Sequence, residues 1–327
     1  MPGVERSAET IGVEEEFLLI DPASGRTAAR ADAVLSVLEN TQLTRFHAEL
    51  AATQVEAATG PCTELAELRV ALCDARERVR AAARQHGLRV VSAGLPERGA
   101  EQPVGGRGKR FREILIRYAG VVADYEACAC QVHIGVPDRK TGVAVLNHLR
   151  PWLPTLLALS ASSPHRGYAS WRMVLQSRFP GSGVPPWFSS ADDYDAHIRR
   201  MVECGTLVDE SMTFWLARLS RRWPTVEFRA ADAVPDVEMA VLQAALSRAL
   251  VRTAITDIAA GREAPRVRDD VCAAAIWTAA RHGLDGPAVH VQHECQVPAT
   301  KLVNALVEHV AAALEETGDT DTLEKLP

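Results

Sequence analysis

Residues 11–20 constrain the fold more than any other segment, because three consecutive glutamates interrupt a run of apolar residues there. The sequence IGVEEEFLLI has the apolar and β-favouring content of a buried strand, and the turn-forming sequence DPASG follows it. Alternate side chains of a strand point to opposite faces, so Glu14 and Glu16 share one face and Glu15 lies on the other. Two carboxylates on one face repel each other unless a cation lies between them. The segment therefore predicts a sheet with a charged, cation-binding face.

Other predicted strands also place polar side chains among apolar residues. These strands are residues 53–59, 127–136 and 225–231. With Glu49, which precedes the first of them, they complete a set of candidate metal ligands: Glu14, Glu16, Glu49, Glu56, His133 and Glu227. Arg229 lies two residues beyond Glu227 and therefore on the same face. Five carboxylates and one imidazole suit a hard divalent cation such as Mg²⁺, with Mn²⁺ as the alternative, and no thiolate pattern indicates zinc.

Each of these residues also has a purely structural interpretation. Residues 14–16 could form a solvated strand edge, and His133 could be a satisfied core histidine. Glu227 and Arg229 could form a surface pair. The metal hypothesis gains weight because acids interrupt apolar strands at several separate places, where burial without a partner is costly.

The predicted elements favour an α+β fold. Helices are predicted at 31–39, 63–86, 111–122, 141–162, 191–203, 237–260, 269–282 and 299–317, and further strands at 88–93 and 211–219. Strands and helices do not alternate strictly, and strands 211–219 and 225–231 could pair as a hairpin. An antiparallel sheet is therefore favoured over a doubly wound one. We also expect Thr63 to cap its helix, a helix break near Pro151 and Pro154, and a long functional loop at 163–190.

Composition and charge exclude other classes of protein. A formal net charge of -6 argues against a main role in binding nucleic acid. Residues 1–10 lack the apolar core of a signal peptide, and no uncharged apolar run is long enough to span a bilayer. Seven cysteines without a CxxC pair favour a reducing compartment, so we expect a cytoplasmic protein. The glycine-rich loop 105–109 lacks the Ser or Thr of a P-loop and is not interpreted as a nucleotide motif.

A set of segments, in this order and spacing, resembles the type 2 glutamate-cysteine ligase family of carboxylate-amine ligases. The segments are IGVEEEFLL (11–19), QVE (54–56), VHIGVPD (132–138), ALSASSP (158–164), GYASWR (167–172), RLS (218–220) and PTVEFR (224–229), followed by Asp232. The resemblance extends from about residue 10 to about residue 315.

The resemblance implies a single catalytic domain over residues 1–327 with a glutamine-synthetase-like fold. In that fold a curved, mainly antiparallel sheet with helices on its outer face surrounds a site for ATP and two or three Mg²⁺ ions. By motif position, the six candidate ligands would hold the metals. Arg229 would bind the nucleotide phosphate and Arg172 would face the substrate carboxylate, and both are candidate catalytic residues. The implied reaction converts a carboxylate, expected to be the γ-carboxylate of glutamate, into an acyl phosphate that cysteine or a related amine attacks.

One departure from the family pattern leaves alternatives open. Only His165 and Arg166 separate the Ser-Pro and Gly-Tyr-Ala-Ser segments, where family members have more residues. One alternative is therefore a ligase of the same mechanism with a specialised acceptor in secondary metabolism. A catalytically silent, ligand-binding paralogue and a metal-dependent hydrolase are the others. The expected partners are small-molecule carboxylate and amine substrates, and the sequence leaves open whether the chain forms a homo-oligomer.

Overall fold

The computed structural model of the protein describes residues 10–100, 105 and 108–325. The predicted absence of a signal peptide concerns residues 1–10, of which residues 1–9 lie outside the described residues. The same holds for Gly106 and Arg107 of the glycine-rich loop.

Eleven strands and ten α-helices make up the described chain. The strands are β1 Ile11–Ile20, β2 Thr44–Ala48, β3 Gln54–Thr59, β4 Arg89–Val91, β5 Cys130–Gly135, β6 Ser182–Gly183, β7 Phe214–Trp215, β8 Ala217–Leu219, β9 Thr225–Phe228, β10 Pro287–His290 and β11 Cys295–Pro298. The helices are α1 Ala31–Leu35, α2 Leu65–Gln85, α3 Lys109–Tyr118, α4 Arg139–Leu149, α5 Leu153–Ser160, α6 Trp171–Gln176, α7 Ala191–Glu203, α8 Val237–Ala259, α9 Asp269–His282 and α10 Ala299–Thr317.

Seven of these strands form one antiparallel sheet. Its order is β2-β3-β1-β5-β9-β8, and β4 pairs with the C-terminal end of β1. Every pair in this sheet is antiparallel, including the predicted hairpin of β8 and β9. β10 and β11 form a separate hairpin, and β6 pairs with β7 in parallel. The predicted α+β fold with an antiparallel sheet is confirmed.

One face of the large sheet packs on helices. Val13, Val132 and Val226 on three neighbouring strands are almost fully buried, in one cluster with Leu72 of α2 and Leu242 of α8. Helix α8 is apolar around most of its circumference, as expected of a helix inside the core rather than on the surface. This packing fixes the sheet from behind and leaves its other face to form the site.

Local predictions were wrong at several places. Helix α2 begins at Leu65, and its cap position is Glu64, which makes no side-chain capping bond, so Thr63 is not the cap. Region 163–190 is not a plain loop, because it contains α6 and β6. Strand β2 and the β10–β11 hairpin were not predicted, because both are short and carry polar residues. The break expected between residues 141 and 162 is confirmed, since α4 ends at Leu149 and α5 begins at Leu153.

Among the described residues, no helix combines the length and the apolar composition that a membrane crossing requires.

Candidate active site

The open face of the sheet carries polar residues that lie in register across its strands. One row contains Gly12, His133, Glu227 and Arg218. The next contains Ala58, Glu14 and Gln131, and a third contains His47, Glu56 and Glu16. Residues paired in register share a face, and neighbouring rows are two residues apart, so all of these side chains point the same way. The strand pattern in the sequence therefore leads directly to a polar surface.

This surface is the floor of a cleft of about 460 Å³. The residues lining the cleft include all six predicted metal ligands and Arg229: Glu14, Glu16, Glu49, Glu56, His133, Glu227 and Arg229. A volume of this size is typical of small-molecule sites. Residues separated by more than 200 positions in the sequence thus meet in one cavity.

At one end of the floor three carboxylates converge. Glu16, Glu49 and Glu56 each offer an oxygen, and these oxygens all lie within 4.8 Å of one another. Burial raises the pKa of all three carboxyl groups, and for Glu16 burial and the neighbouring Glu49 raise the pKa to about 8. No arginine or lysine of the described residues forms an ion pair with them. A divalent cation would relieve their repulsion, so the group fits a metal site.

Glu16 is held in place by two hydrogen bonds. The backbone N–H of Ala129 donates to Glu16 Oε2 at 2.8 Å, and Gln131 Nε2 donates to Glu16 Oε1 at 2.6 Å. The carboxylate is nearly buried, so these donors fix its orientation before any ligand arrives.

His133 lies at the other end of the floor, close to Glu14. Its Nδ1 is 2.9 Å from the hydroxyl of Thr225, while its buried Nε2 has no hydrogen-bond partner among the described residues and lies 3.4 Å from Glu14 Oε1. Burial lowers the pKa of the imidazole, but Glu14 and Glu227 outweigh this effect and raise it. A buried ring nitrogen that faces a carboxylate without a hydrogen bond is a suitable metal ligand.

Glu227 is tied to two arginines. Arg218 donates from Nε and Nη2 to the two carboxylate oxygens, both at 2.8 Å, and Arg229 Nη1 donates to Oε1 at 2.5 Å. Burial would raise the pKa of Glu227, but Arg218, Arg229 and His133 hold it well below its usual range. Glu227 is therefore ionised and fixed, and each of its oxygens already accepts a hydrogen bond.

Gln131 links the two ends of the floor. Its Nε2 donates to Glu16, and its Oε1 accepts a hydrogen bond from Arg229. Arg229 in turn binds Glu227, so one chain of hydrogen bonds runs from the three-carboxylate group to the arginines. The side chain of Arg229 is only partly exposed, and it faces the cleft with a fixed positive charge.

Arg172 lies behind the floor. Its side chain is 2% exposed and it is not among the described residues that line the cleft. It donates to the backbone carbonyl of Arg229 at 2.9 Å and pairs with Asp232 at 3.4 Å. Asp232 also accepts hydrogen bonds from the hydroxyls of Ser163 and Ser170. The guanidinium therefore supports the backbone that carries Arg229.

Gln131, Arg218 and Tyr125 are among the residues of the cleft that sequence reasoning missed. Gln131 and Arg218 lie on predicted strands, two residues from His133 and in register with Glu227, so the alternation of side chains could have identified them. Tyr125 also lines the cleft, but it lies outside the helices and strands and carries no periodic signal.

A second cleft, of about 300 Å³, adjoins the first. Glu14 and His133 line both clefts, as does Trp223, which is half exposed. Gly60 and Pro224 are among its other lining residues. The acidic floor thus opens on two sides.

Comparisons with known proteins agree with this arrangement. The sequence model of glutamate-cysteine ligase family 2 matches residues 10–326. A protein from Saccharopolyspora erythraea, provisionally named glutamate–cysteine ligase 2-2, is 54% identical over 324 residues, which cover 96% of this chain and 83% of the relative. A Nocardia farcinica protein, provisionally named glutamate–cysteine ligase 2-1, is 41% identical over 317 residues, which cover 95% and 82%.

A solved structure has the same fold at low sequence identity. The glutamate–cysteine ligase of Francisella tularensis, crystallised in complex with AMP, aligns with a TM-score of 0.67 and 13% identity over 96% of this chain and 80% of that one. From the family match over almost its full length and from the identity with these relatives, the chain belongs to glutamate-cysteine ligase family 2 and is an ATP-dependent amide-forming ligase.

Proposed function

We propose that this enzyme activates the γ-carboxylate of glutamate with ATP as an acyl phosphate and joins it to cysteine or a related amine. The observation that carries the proposal is the single cleft into which five carboxylates, one imidazole and Arg229 converge. A carboxylate is a poor electrophile at neutral pH, and phosphorylation makes it reactive toward an amine. Such a step needs positive charge around the transferring phosphoryl group more than it needs a protein nucleophile.

Magnesium, with manganese as the alternative, is the proposed cofactor. Glu16, Glu49 and Glu56 would hold one ion, and Glu14, His133 and Glu227 would provide a second set of ligands. When bound, the metal neutralises charge on the phosphoryl oxygens. Two observations support this assignment: the repulsion among the three clustered carboxylates, and His133 Nε2, which finds no hydrogen-bond partner in the part of the chain that the structure describes.

The smaller cleft is the proposed nucleotide site. It shares Glu14 and His133 with the larger cleft, so a triphosphate that starts there would reach the acidic floor. Trp223 offers a half-exposed ring for contact with a base, and Arg45 and Arg222 offer positive charge. The larger cleft is then left for the carboxylate and the amine.

The chain's own groups orient and stabilise the reacting atoms. Arg229 faces the cleft with a guanidinium whose position is set by Glu227 and Gln131, so it is available to stabilise the transferring phosphoryl group. We assign Arg172 to positioning, because it binds the backbone carbonyl of Arg229 from behind. The attacking amine must lose a proton, and no single carboxylate is assigned as its acceptor.

A phosphate-release assay with ATP and Mg²⁺ tests the proposal. The assay would compare glutamate with cysteine, each amino acid alone, and glutamate with other amines. Mass spectrometry would give the masses of the products. We expect phosphate release only when both carboxylate and amine are present, with a product lighter by one water than the sum of the two. Phosphate release from ATP without any amide product would contradict the proposal and favour a hydrolase.

Turnover of ATP, rather than its binding, separates an active ligase from a silent paralogue. Both would bind ATP, but only the ligase would form ADP from it in the presence of its substrates. All six candidate ligands and Arg229 line one cleft, which favours the active enzyme. The proposed setting is the cytoplasm, with small molecules rather than nucleic acid or membrane as partners.

A further inference from the structure

The catalytic cleft has two chemically different sides. Besides the charged floor, the lining of the cleft includes a set of apolar and aromatic side chains, which we name the apolar wall: Leu50, Phe111, Ile114, Tyr125, Met212 and Phe214. Phe111 and Ile114 lie on α3 and Phe214 lies on β7. Leu50 lies in the loop between β2 and β3, and Tyr125 and Met212 lie in loops before β5 and β7. The acids of the floor do not need apolar neighbours to bind a metal or a phosphate. The presence of the apolar wall therefore requires a separate explanation.

The apolar wall is a packed structure. Ile114 and Met212 are almost fully buried, and they belong to one hydrophobic cluster with Phe179. The ring of Tyr125 meets Phe179 edge to face at 5.1 Å, and Phe214 stacks on Phe179 at 4.2 Å. Rings fixed in this way present a preformed apolar surface to the cleft and lose little freedom when a ligand binds.

The position of the apolar wall separates it from the nucleotide. None of its six residues lines the smaller cleft, which is the proposed ATP site. Leu50 directly follows Glu49, so the wall adjoins the three-carboxylate end of the floor. A carboxylate attacking the γ-phosphate must lie over the floor between the two clefts. The amine that then attacks the acyl carbon must approach from the remaining side of the larger cleft, which the apolar wall borders.

We propose that the acceptor of this enzyme is a primary amine or amino acid with an aliphatic or aromatic side chain, which packs against the apolar wall. The inference rests on the proposed ligase function and names the acceptor class of the same site. Cysteine and other small acceptors would leave the partly exposed residues of the wall, Leu50, Phe111, Tyr125 and Phe214, in contact with water. Burying the wall under a larger apolar side chain removes that surface from water and favours binding.

Acceptor competition tests the proposal directly. With ATP, Mg²⁺ and glutamate held constant, kcat/KM would be measured by amide formation with leucine, phenylalanine, cysteine, serine and alanine. We expect leucine or phenylalanine to exceed cysteine by about 10-fold or more, since even one methylene in an apolar pocket changes kcat/KM about that much. Serine, which has the size of cysteine and a more polar group, should be the poorest acceptor.

Variants of α3 test whether the apolar wall causes the acceptor preference. Phe111→Ala removes a half-buried ring of the apolar wall and is expected to lower kcat/KM for the preferred acceptor by about 10-fold, with little change for alanine. The KM values for ATP and for glutamate should stay within about twofold of the wild type. The matched control is Ile116→Ala, because Ile116 lies on the same helix but is 80% exposed. Ile114→Val provides a smaller truncation that keeps the packing and should reduce the preference in the same direction.

The outcomes separate this inference from the function on which it rests. If cysteine or serine is the best acceptor, or if Phe111→Ala raises the KM for glutamate instead, the inference is wrong while the ligase function stands. If no amine yields an ATP-dependent amide with glutamate, both are wrong.

Discussion

The two faces of strand β1 use neighbouring glutamates in opposite ways. On the back face, Glu15 is 1% exposed and forms two hydrogen bonds with Arg76 of α2, at 3.0 and 2.6 Å. Arg76 also donates to backbone carbonyls of residues 234–236, so the charges are fully engaged. On the front face, Glu16 lies with two other carboxylates and has no ion-pair partner among the described residues.

This difference shows that burial of a carboxylate does not by itself mark a functional group. Glu15 is more deeply buried than Glu16, but its partner compensates its charge and its role is to join a helix to the sheet. On the front face, Glu16, Glu49 and Glu56 gather like charges that have no ion-pair partner among the described residues, and such a group is stable only with a bound cation or with protonated carboxyl groups. The two faces differ in whether their carboxylates have a charged partner more than in how deeply those carboxylates are buried.

Removing the back-face cation is expected to have the largest effect. Arg76→Met leaves Glu15 charged, buried and unpaired, so the free energy of unfolding should fall by about 3–5 kcal/mol. Urea denaturation of purified protein measures the loss. Arg84→Ala on the same helix is the control, because its ion pair with Glu77 is largely exposed and should contribute less than about 1 kcal/mol. If Arg76→Met lowers the free energy of unfolding no more than the control does, the proposed difference between the two faces is wrong.

The front face should respond in activity rather than in stability. Glu227→Gln keeps the shape of the side chain but removes the negative charge that orients Arg218 and Arg229, so turnover should fall by about 10²–10³-fold. The melting temperature should change little by comparison with Arg76→Met. Steady-state kinetics with ATP in saturating Mg²⁺ measures the loss. Glu113→Gln on α3, where the ion pair is exposed, controls for loss of a carboxylate. If Glu227→Gln keeps a turnover close to that of the wild type, Glu227 is not a functional residue of the site.

The sequence predicted the front face better than the back. Alternation along β1, β3, β5 and β9 placed Glu14, Glu56, His133 and Glu227 on one face, because the period of a strand is local information. The partner of Glu15 is 61 positions away on a helix, and no local pattern specifies that contact. The support that Arg172 gives to the Arg229 backbone is also a long-range contact. For the same reason the apolar wall, assembled from α3, β7 and loops, could not be predicted.

The smallest predicted effect concerns stability without metal. The pKa of Glu16 is raised by burial and by Glu49 from 4.5 to about 8, so between these pH values the folded chain binds more protons than the unfolded one. Stability in chelator should therefore fall as pH rises from 4.5 to 8. At pH 8, Mg²⁺ should restore about 2.7 kcal/mol when its concentration is a hundred times its Kd. Thermal unfolding with and without Mg²⁺ measures both changes, and Glu16→Gln should reduce both because it removes one charge of the group. If Glu16→Gln leaves the response to pH and Mg²⁺ as large as in the wild type, the three-carboxylate group is not the metal site, and the contrast between the faces must have another origin.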